Sequence, residues 1–324
     1  MNNLNENAKK SMKSRIVTAL ILIGVCLPCM FLGGWFFAVL MFLILMVAVH
    51  EFTNAPGHDH YPLVLHILLY IIAFSTVYWM FVKNNLSLEG WNMEKWSFSN
   101  GFDKIQVSTI EVASSIIILF VFSILHSNFK TEDMTYLFTM ILFVSLSFQA
   151  ILYLRYSPEY SFSLHPEYER NMWLDSMLMF YVVVGTFGND TGAYFVGVFF
   201  GKHKMVERIS PKKTWEGFVG GVIFSTILSF LLGYILASCG CPMLPSLTTD
   251  KWYWILLISL SMPIVGTIGD LFFSSIKRHF MIKDFGVLLP GHGGVLDRVD
   301  SLLFVSLVVA ILCVFINNGW NFLL

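Results

Sequence analysis

Nine apolar runs constrain the fold of this chain more than any other feature of its sequence. A helix needs about 20 apolar residues to cross the hydrocarbon core of a bilayer. Such runs lie roughly at 16–33, 35–50, 62–82, 108–126, 134–154, 173–200, 217–238, 252–276 and 301–318. In lipid every backbone N–H and C=O must find an internal partner, so runs of this kind cross as helices. The expected fold is an all-α polytopic membrane protein with about nine transmembrane helices. Composition agrees: 56% of the 324 residues are hydrophobic and 13% are charged, against about 25% charged in a soluble domain. The basic start before the first run resembles a signal peptide. No small-residue cleavage site follows, and a second run begins almost at once, which predicts a retained first helix.

Three regions follow: a polar cytoplasmic segment at 1–15, an N-terminal transmembrane region of about five helices at 16–170, and a C-terminal catalytic region of about four helices at 171–324. Orientation is read from Lys and Arg in the connecting segments. With a cytoplasmic N-terminus, fourteen of these cations fall inside and six outside. That predicts a cytoplasmic N-terminus and an external C-terminus, and it puts the segments after the sixth and eighth runs on one face. Two external loops, 83–107 and 155–172, are polar with interleaved aromatics suited to the membrane interface. Cys26 and Cys29 have redox spacing but sit in an apolar run, where small apolar filler is the better reading. The net charge of −1 says nothing about partners, so the distribution of charge matters more; no nucleic-acid partner is expected.

Against this apolar background a few polar residues stand out, because an ionised group at membrane depth must be paired, hydrated or metal-bound. Asp190 lies in VVVGTFGNDTGAYFVGVFFGK, residues 182–202, a glycine-rich span that reads as interrupted and lining a cavity. The loop ISPKKTWEGFVGG, residues 209–221, places Ser210, Lys212, Lys213 and Thr214 where the next helix begins. Ser210-Pro211 can open a turn, and hydroxyls, ammonium groups and free N–H groups at a helix start suit an anion. The eighth run ends VGTIGDLFFSSIKRHF, with Asp270 and Lys277 seven residues apart on one helical face and Arg278 beside them.

Residues 283–300, KDFGVLLPGHGGVLDRVD, put Lys283, Asp284, Asp297, Arg298 and Asp300 between two apolar runs. Gly291, Gly293 and Gly294 around His292 let backbone approach a ligand closely. Asp297 and Asp300 share a face if the ninth helix has begun. Asp carboxylates suit Mg²⁺, which binds one or two carboxylates plus substrate phosphate. No second His or Cys at ligand spacing supports zinc, so His292 is expected to bond phosphate or shape the loop. Carboxylates of this kind beside phosphate-type cations, opening onto lipid, point to phosphoryl or nucleotidyl transfer to a membrane-embedded substrate.

The 27 residues from Ser274 to Asp300 closely resemble the signature of the phosphatidate cytidylyltransferases, also called CDP-diacylglycerol synthases. Asp190-Thr191-x-Ala193-Tyr194 and Ser210-Pro211-Lys212-Lys213-Thr214-x-Glu216-Gly217 are similar to other segments of that family, as more weakly are Lys13-Ser14-Arg15 and Glu51-Phe52. The resemblance implies that CTP and phosphatidate give CDP-diacylglycerol and pyrophosphate in the presence of Mg²⁺. It also implies a homodimer. The Lys and Arg distribution puts the active site on the cytoplasmic side, and a bacterial plasma membrane is the expected location. By motif position Asp270 and Asp297 would hold the metal. Lys277 and Arg298 join them as expected catalytic residues. Ser210, Lys212, Lys213, Thr214, Arg278, Lys283, His292, Gly293 and Gly294 are expected to bind substrate, while Asp190, Asp284 and Asp300 are candidates for a second metal ion or for lining the pocket. Two rival readings are a CTP-dependent lipid-alcohol kinase and an ion or solute transporter that uses Asp190 and Asp270 as intramembrane carboxylates.

Overall fold

The computed structural model describes residues 2–318, apart from 59, 103–104, 106–108, 128 and 166–171. Its helices are α1 (Asn2–Leu32), α2 (Gly34–Asn54), α3 (Leu63–Glu89), the single turn α4 (Phe98–Gly101), α5 (Thr109–Leu125), α6 (Thr131–Ser163), α7 (Met172–Phe200), α8 (Trp215–Ser238), α9 (Trp252–His279) and α10 (Leu296–Asn318). Each of the nine apolar runs coincides with one of these helices. Among the described residues, six are long and apolar enough to cross a membrane: those at Ser14–Leu32, Gly34–Asn54, Thr131–Ser163, Trp215–Ser238, Thr249–His279 and Leu296–Asn317. A bent pair, Leu63–Trp79 and Phe81–Glu89 at 46°, makes a seventh if counted as one span. Outward-facing Ile16, Leu20 and Ile21 on α1 and Ile223, Ile227 and Leu231 on α8 would be costly in water. A hydrocarbon surround removes that cost.

Four features correct or add to what the sequence predicts. First, the all-α polytopic architecture carries one short hairpin: β1 (Lys204–Val206) pairs antiparallel with β2 (Ser210–Thr214). Ser210-Pro211 therefore opens a strand and not only a turn. Second, α7 is continuous through Asp190, where an interrupted span was expected. Its glycines serve packing against α8: a Cβ at Gly188 would fall 3.2 Å from the Leu228 side chain, and one at Gly192 would fall 2.8 Å from Phe224 Cβ. Small residues let α7 and α8 approach closely without a break in either. Third, residues 2–15 of the polar N-terminal segment form the first part of α1.

Fourth, most of the described part of the 155–172 loop is helix, since α6 runs on through Pro158 to Ser163. Residues 83–89 likewise continue α3; 103–104, 106–107 and 166–171 lie outside the described residues. The physical reason on α6 is Arg155, which is 2% exposed. Its Nε donates to the Met30 carbonyl at 2.6 Å, at the C-terminal end of α1. Carbonyls left over in a last helical turn are natural partners for a cation. Asp175 and Glu159 lie close enough to add attraction. Arg155→Ala should therefore lower stability by about 1.5–3 kcal/mol, the range for hydrogen bonds to charged groups. Thermal unfolding in detergent measures this, and an unchanged midpoint would show that Arg155 does not anchor α6.

Contacts sort the connecting segments into two groups. In one, Thr18 Oγ1 donates to the Pro290 carbonyl at 3.1 Å, Tyr61 Oη to Asp133 at 3.0 Å, Tyr136 Oη to the Phe52 carbonyl at 2.8 Å and Arg278 Nε to the Ile209 carbonyl at 3.2 Å. In the other, Tyr156 Oη meets the Gly34 carbonyl at 2.7 Å and Ser246 Oγ meets Asn317 at 2.7 Å. The first group joins the segments near residues 18 and 290, 52–61 and 133–136, and 209 and 278.

Candidate active site

The antiparallel α9 and α10 carry the acids. On α9, Asp270 Oδ1 accepts from Ser274 Oγ one turn later at 3.2 Å. Its Oδ2 meets Lys213 Nζ at 2.5 Å, with side-chain exposures of 31% and 26%. Lys213 reaches this point from β2. The strand turns Lys212 out to solvent and leads into Thr214, which is buried. Thr214 caps α8 by accepting from Gly217 N at 3.1 Å. Glu216, in the first turn of α8, fixes the hairpin by accepting from Lys202 N at 3.1 Å and meeting His203 Nδ1 at 2.6 Å. A carboxylate there complements the helix dipole.

Asp297 is deeply enclosed, with its side chain 1% exposed. Oδ1 meets Lys277 Nζ at 2.7 Å, and Oδ2 accepts from Phe285 N at 2.8 Å and Gly294 N at 3.0 Å. Lys277 also lies over the Phe285 ring, 5.6 Å from its centroid. Between these anchors the chain makes a tight turn, in which Leu289 N donates to the Gly293 carbonyl at 2.9 Å and Gly293 N returns to Leu289 at 3.1 Å. Gly291 and Gly293 adopt φ of 76° and 83°, a region that favours glycine. His292 leaves its Nδ1 buried with no partner among the described residues.

The remaining predicted residues divide into those drawn into this cluster and those outside it. Asp190 lies close enough to interact with Asp270, Lys213 and Arg298. Asp300 does so with Asp270, Lys277 and Asp190. Three carboxylates from α7, α9 and α10 thus face Lys213, Lys277 and Arg298. Arg278 is exposed and spends its Nε on the hairpin carbonyl of Ile209. Ser210 begins β2, Lys283 and Asp284 are exposed, and Asp284 packs against Gly293. Gly294 is buried behind Asp297.

Sequence reasoning left several participants unassigned. Ser274 on Asp270 was visible only as a signature residue. Asn189, next to Asp190, donates to Thr267 Oγ1 at 3.3 Å. Its only sequence signal was its place beside an intramembrane acid. Ser14 and Thr18 hold the Pro290 carbonyl, and Glu51 accepts two backbone N–H groups at the start of α10.

Among the described residues no three His, Cys, Asp or Glu side chains are placed to enclose a metal ion. A carboxylate offers about four lone-pair directions. Asp297 uses three of them, on Lys277, Phe285 and Gly294, which leaves one near Oδ1. Asp270 is one-third exposed and has Asp190 and Asp300 as neighbours. This donor set fits a hard cation whose remaining ligands are phosphate oxygens and water. It does not fit an all-protein cage.

The profile of the cytidylyltransferase family matches residues 13–316 of this chain. The chain belongs to that family. The phosphatidate cytidylyltransferase of Bacillus subtilis (strain 168) is 30% identical over 296 residues, covering 91% of this chain and 94% of that protein. That of Staphylococcus saprophyticus is 31% identical over 312 residues, covering 94% and 99%. That of Staphylococcus haemolyticus is 29% identical over 303 residues, again covering 94% and 99%. The similarity to these cytidylyltransferases therefore spans the N-terminal helices as well as the Ser274–Asp300 signature.

Proposed function

We propose that this integral membrane protein transfers the cytidylyl group of CTP to phosphatidate, giving CDP-diacylglycerol and pyrophosphate. Full-length similarity to proteins of that activity supports the reading. The observation that carries it is the pair of Lys–Asp contacts, Lys213–Asp270 and Lys277–Asp297, gathered with Asp190, Asp300 and Arg298 at one end of apolar helices. Nine crossings, a cytoplasmic N-terminus and a cytoplasmic active site belong to the same proposal. They are supported by the grouping of contacts described above and by the Lys and Arg distribution. So do the division at residues 15 and 170 and the homodimer, the latter on the family resemblance.

The chemistry needs little from a general base. A phosphate monoester has a second pKa of about 6, so phosphatidate arrives largely as a dianion. One of its oxygens attacks the α-phosphorus of CTP, a new P–O–P bond forms, the α–β bond breaks and pyrophosphate leaves. Positioning and charge neutralisation then supply the rate. Lys213, Lys277 and Arg298 offset phosphate charge, and Lys212, Lys283 and Arg278 extend the cationic rim. His292, whose buried Nδ1 has no partner among the described residues, sits in the turn whose backbone can approach phosphate. Asp270 and Asp297 would hold Mg²⁺, with Asp190, Asp284 and Asp300 available to a second ion or to the pocket wall. When bound, Mg²⁺ supplies Lewis-acid stabilisation of the phosphoryl oxygens.

Purified protein should release pyrophosphate from CTP only when phosphatidate is present, with the cytidylyl group recovered on lipid. Release of CDP with a newly phosphorylated lipid alcohol would favour the kinase. Solute flux in proteoliposomes without CTP turnover would favour the transporter.

A further inference from the structure

The N-terminal helices contribute a polar clamp to this site, and its main member is Glu51. Glu51 lies near the end of α2, is 4% exposed and reaches the start of α10 across 244 residues of sequence. Its Oε1 accepts from Val295 N at 2.8 Å and its Oε2 accepts from Leu296 N at 2.7 Å. Leu296 is the first residue of α10, and the residues before it, Gly294 and Val295, carry no side-chain acceptor. The helix thus has no N-cap of its own, although its first N–H groups need acceptors. Glu51 supplies them from another helix, and its charge complements the positive end of the α10 dipole.

The same carboxylate shapes the loop. A Cβ at Gly286 would lie 2.5 Å from Glu51 Oε1, and one at Gly294 would lie 2.6 Å from Oε2. Loop backbone therefore closes directly onto Glu51. Asp297 stands close enough to repel it and takes the neighbouring N–H groups of Phe285 and Gly294. Two buried carboxylates side by side are costly unless hydrogen bonds compensate them. Here four backbone N–H groups do so, and in doing so they fix the path of residues 285–296. Ser14 and Thr18 of α1 grip the same loop at the Pro290 carbonyl, at 3.4 and 3.1 Å.

We infer that Glu51 is a positioning residue: by holding Val295 and Leu296 it sets the start of α10, and so places Asp297 and its partner Lys277 for transfer. The inference rests on the cytidylyltransferase reading of the site. Glutamine offers one acceptor where glutamate offers two, and its amide N–H would face a backbone N–H. Glu51→Gln should release one of the two contacts and let the loop drift. Misplacement by about 1 Å can cost about 100-fold in rate.

The test uses full-length protein in nanodiscs containing phosphatidate. Glu51→Gln should lower kcat by about 100-fold while KM for CTP changes far less, the pattern of an interaction needed in the transition state. Hydrogen exchange should quicken in peptides covering 285–296 and stay at the wild-type rate in α6. Gly286→Ala, which pushes Glu51 from its contacts, should reproduce both effects, and the double variant should be no worse than either single one. Wild-type kcat and exchange in Glu51→Gln would overturn the inference. Additive losses in the double variant, or faster exchange throughout the protein, would also overturn it, the latter showing a general structural role. If wild-type protein turns over no CTP, the functional reading fails, while the exchange data still decide whether Glu51 holds the loop.

Discussion

Asp297→Asn should reduce CDP-lipid formation by about 1,000-fold, the upper range for loss of one preorganised charge contact, and should also lower the unfolding midpoint. Both effects follow from the lone pairs. Asparagine keeps one oxygen, which can serve either Lys277 or the N–H groups of Phe285 and Gly294, but not both. With its oxygen toward the backbone, its amide N–H groups face the Lys277 ammonium, which is only 13% exposed. Breaking a buried pair by removing one partner typically costs about 3–5 kcal/mol, because the other charge stays behind. Adding Lys277→Met removes that stranded charge, so the double variant should regain much of the lost midpoint. Its activity should stay low, since neither the carboxylate nor the cation is restored. Thermal unfolding and pyrophosphate release measured on the same preparations separate the two effects. If turnover returned together with stability, Asp297 and Lys277 would be structural residues and the proposed chemistry would lose its centre.

The helical fold was legible because apolar length in a membrane has few alternative meanings. Apolar length said less about how the connecting segments dock: Thr18–Pro290, Tyr136–Phe52 and Arg278–Ile209 pair them across long stretches of sequence. Other features depended on tertiary partners. Arg155 after an apolar run reads as the start of a loop until the Met30 carbonyl is seen to receive it. The SPKKT strand has too little alternation to announce itself, and it exists because Lys204–Val206 pairs with it. Glycines around Asp190 look like a break, yet they are the surface on which α8 packs. At the site, residue types identified the acids and cations, but spacing could not match Lys213 with Asp270 across 57 positions or bring Glu51 to Leu296. Such pairings arise only when separate helices are docked.

Asp270→Asn should behave differently from Asp297→Asn, and the contrast tests the division of labour between the two acids. The Lys213–Asp270 contact is partly exposed on both sides, and such pairs contribute about 0–1 kcal/mol. Asp270 also stands near two other carboxylates, Asp190 and Asp300. Removing one negative charge from that group relieves repulsion, so the unfolding midpoint should hold steady or rise. Activity should nevertheless fall by about 100- to 1,000-fold, the usual cost of losing one electrostatic contact to a developing charge. If Asp270 holds Mg²⁺, the concentration giving half-maximal residual rate should increase as well, because a neutral amide is a weaker ligand for a hard cation. A large fall in midpoint would make Asp270 a structural anchor for Lys213. Unchanged turnover would remove it from the mechanism. A gain in stability with a loss in rate is the signature of like charges kept together for chemistry at some expense to the fold.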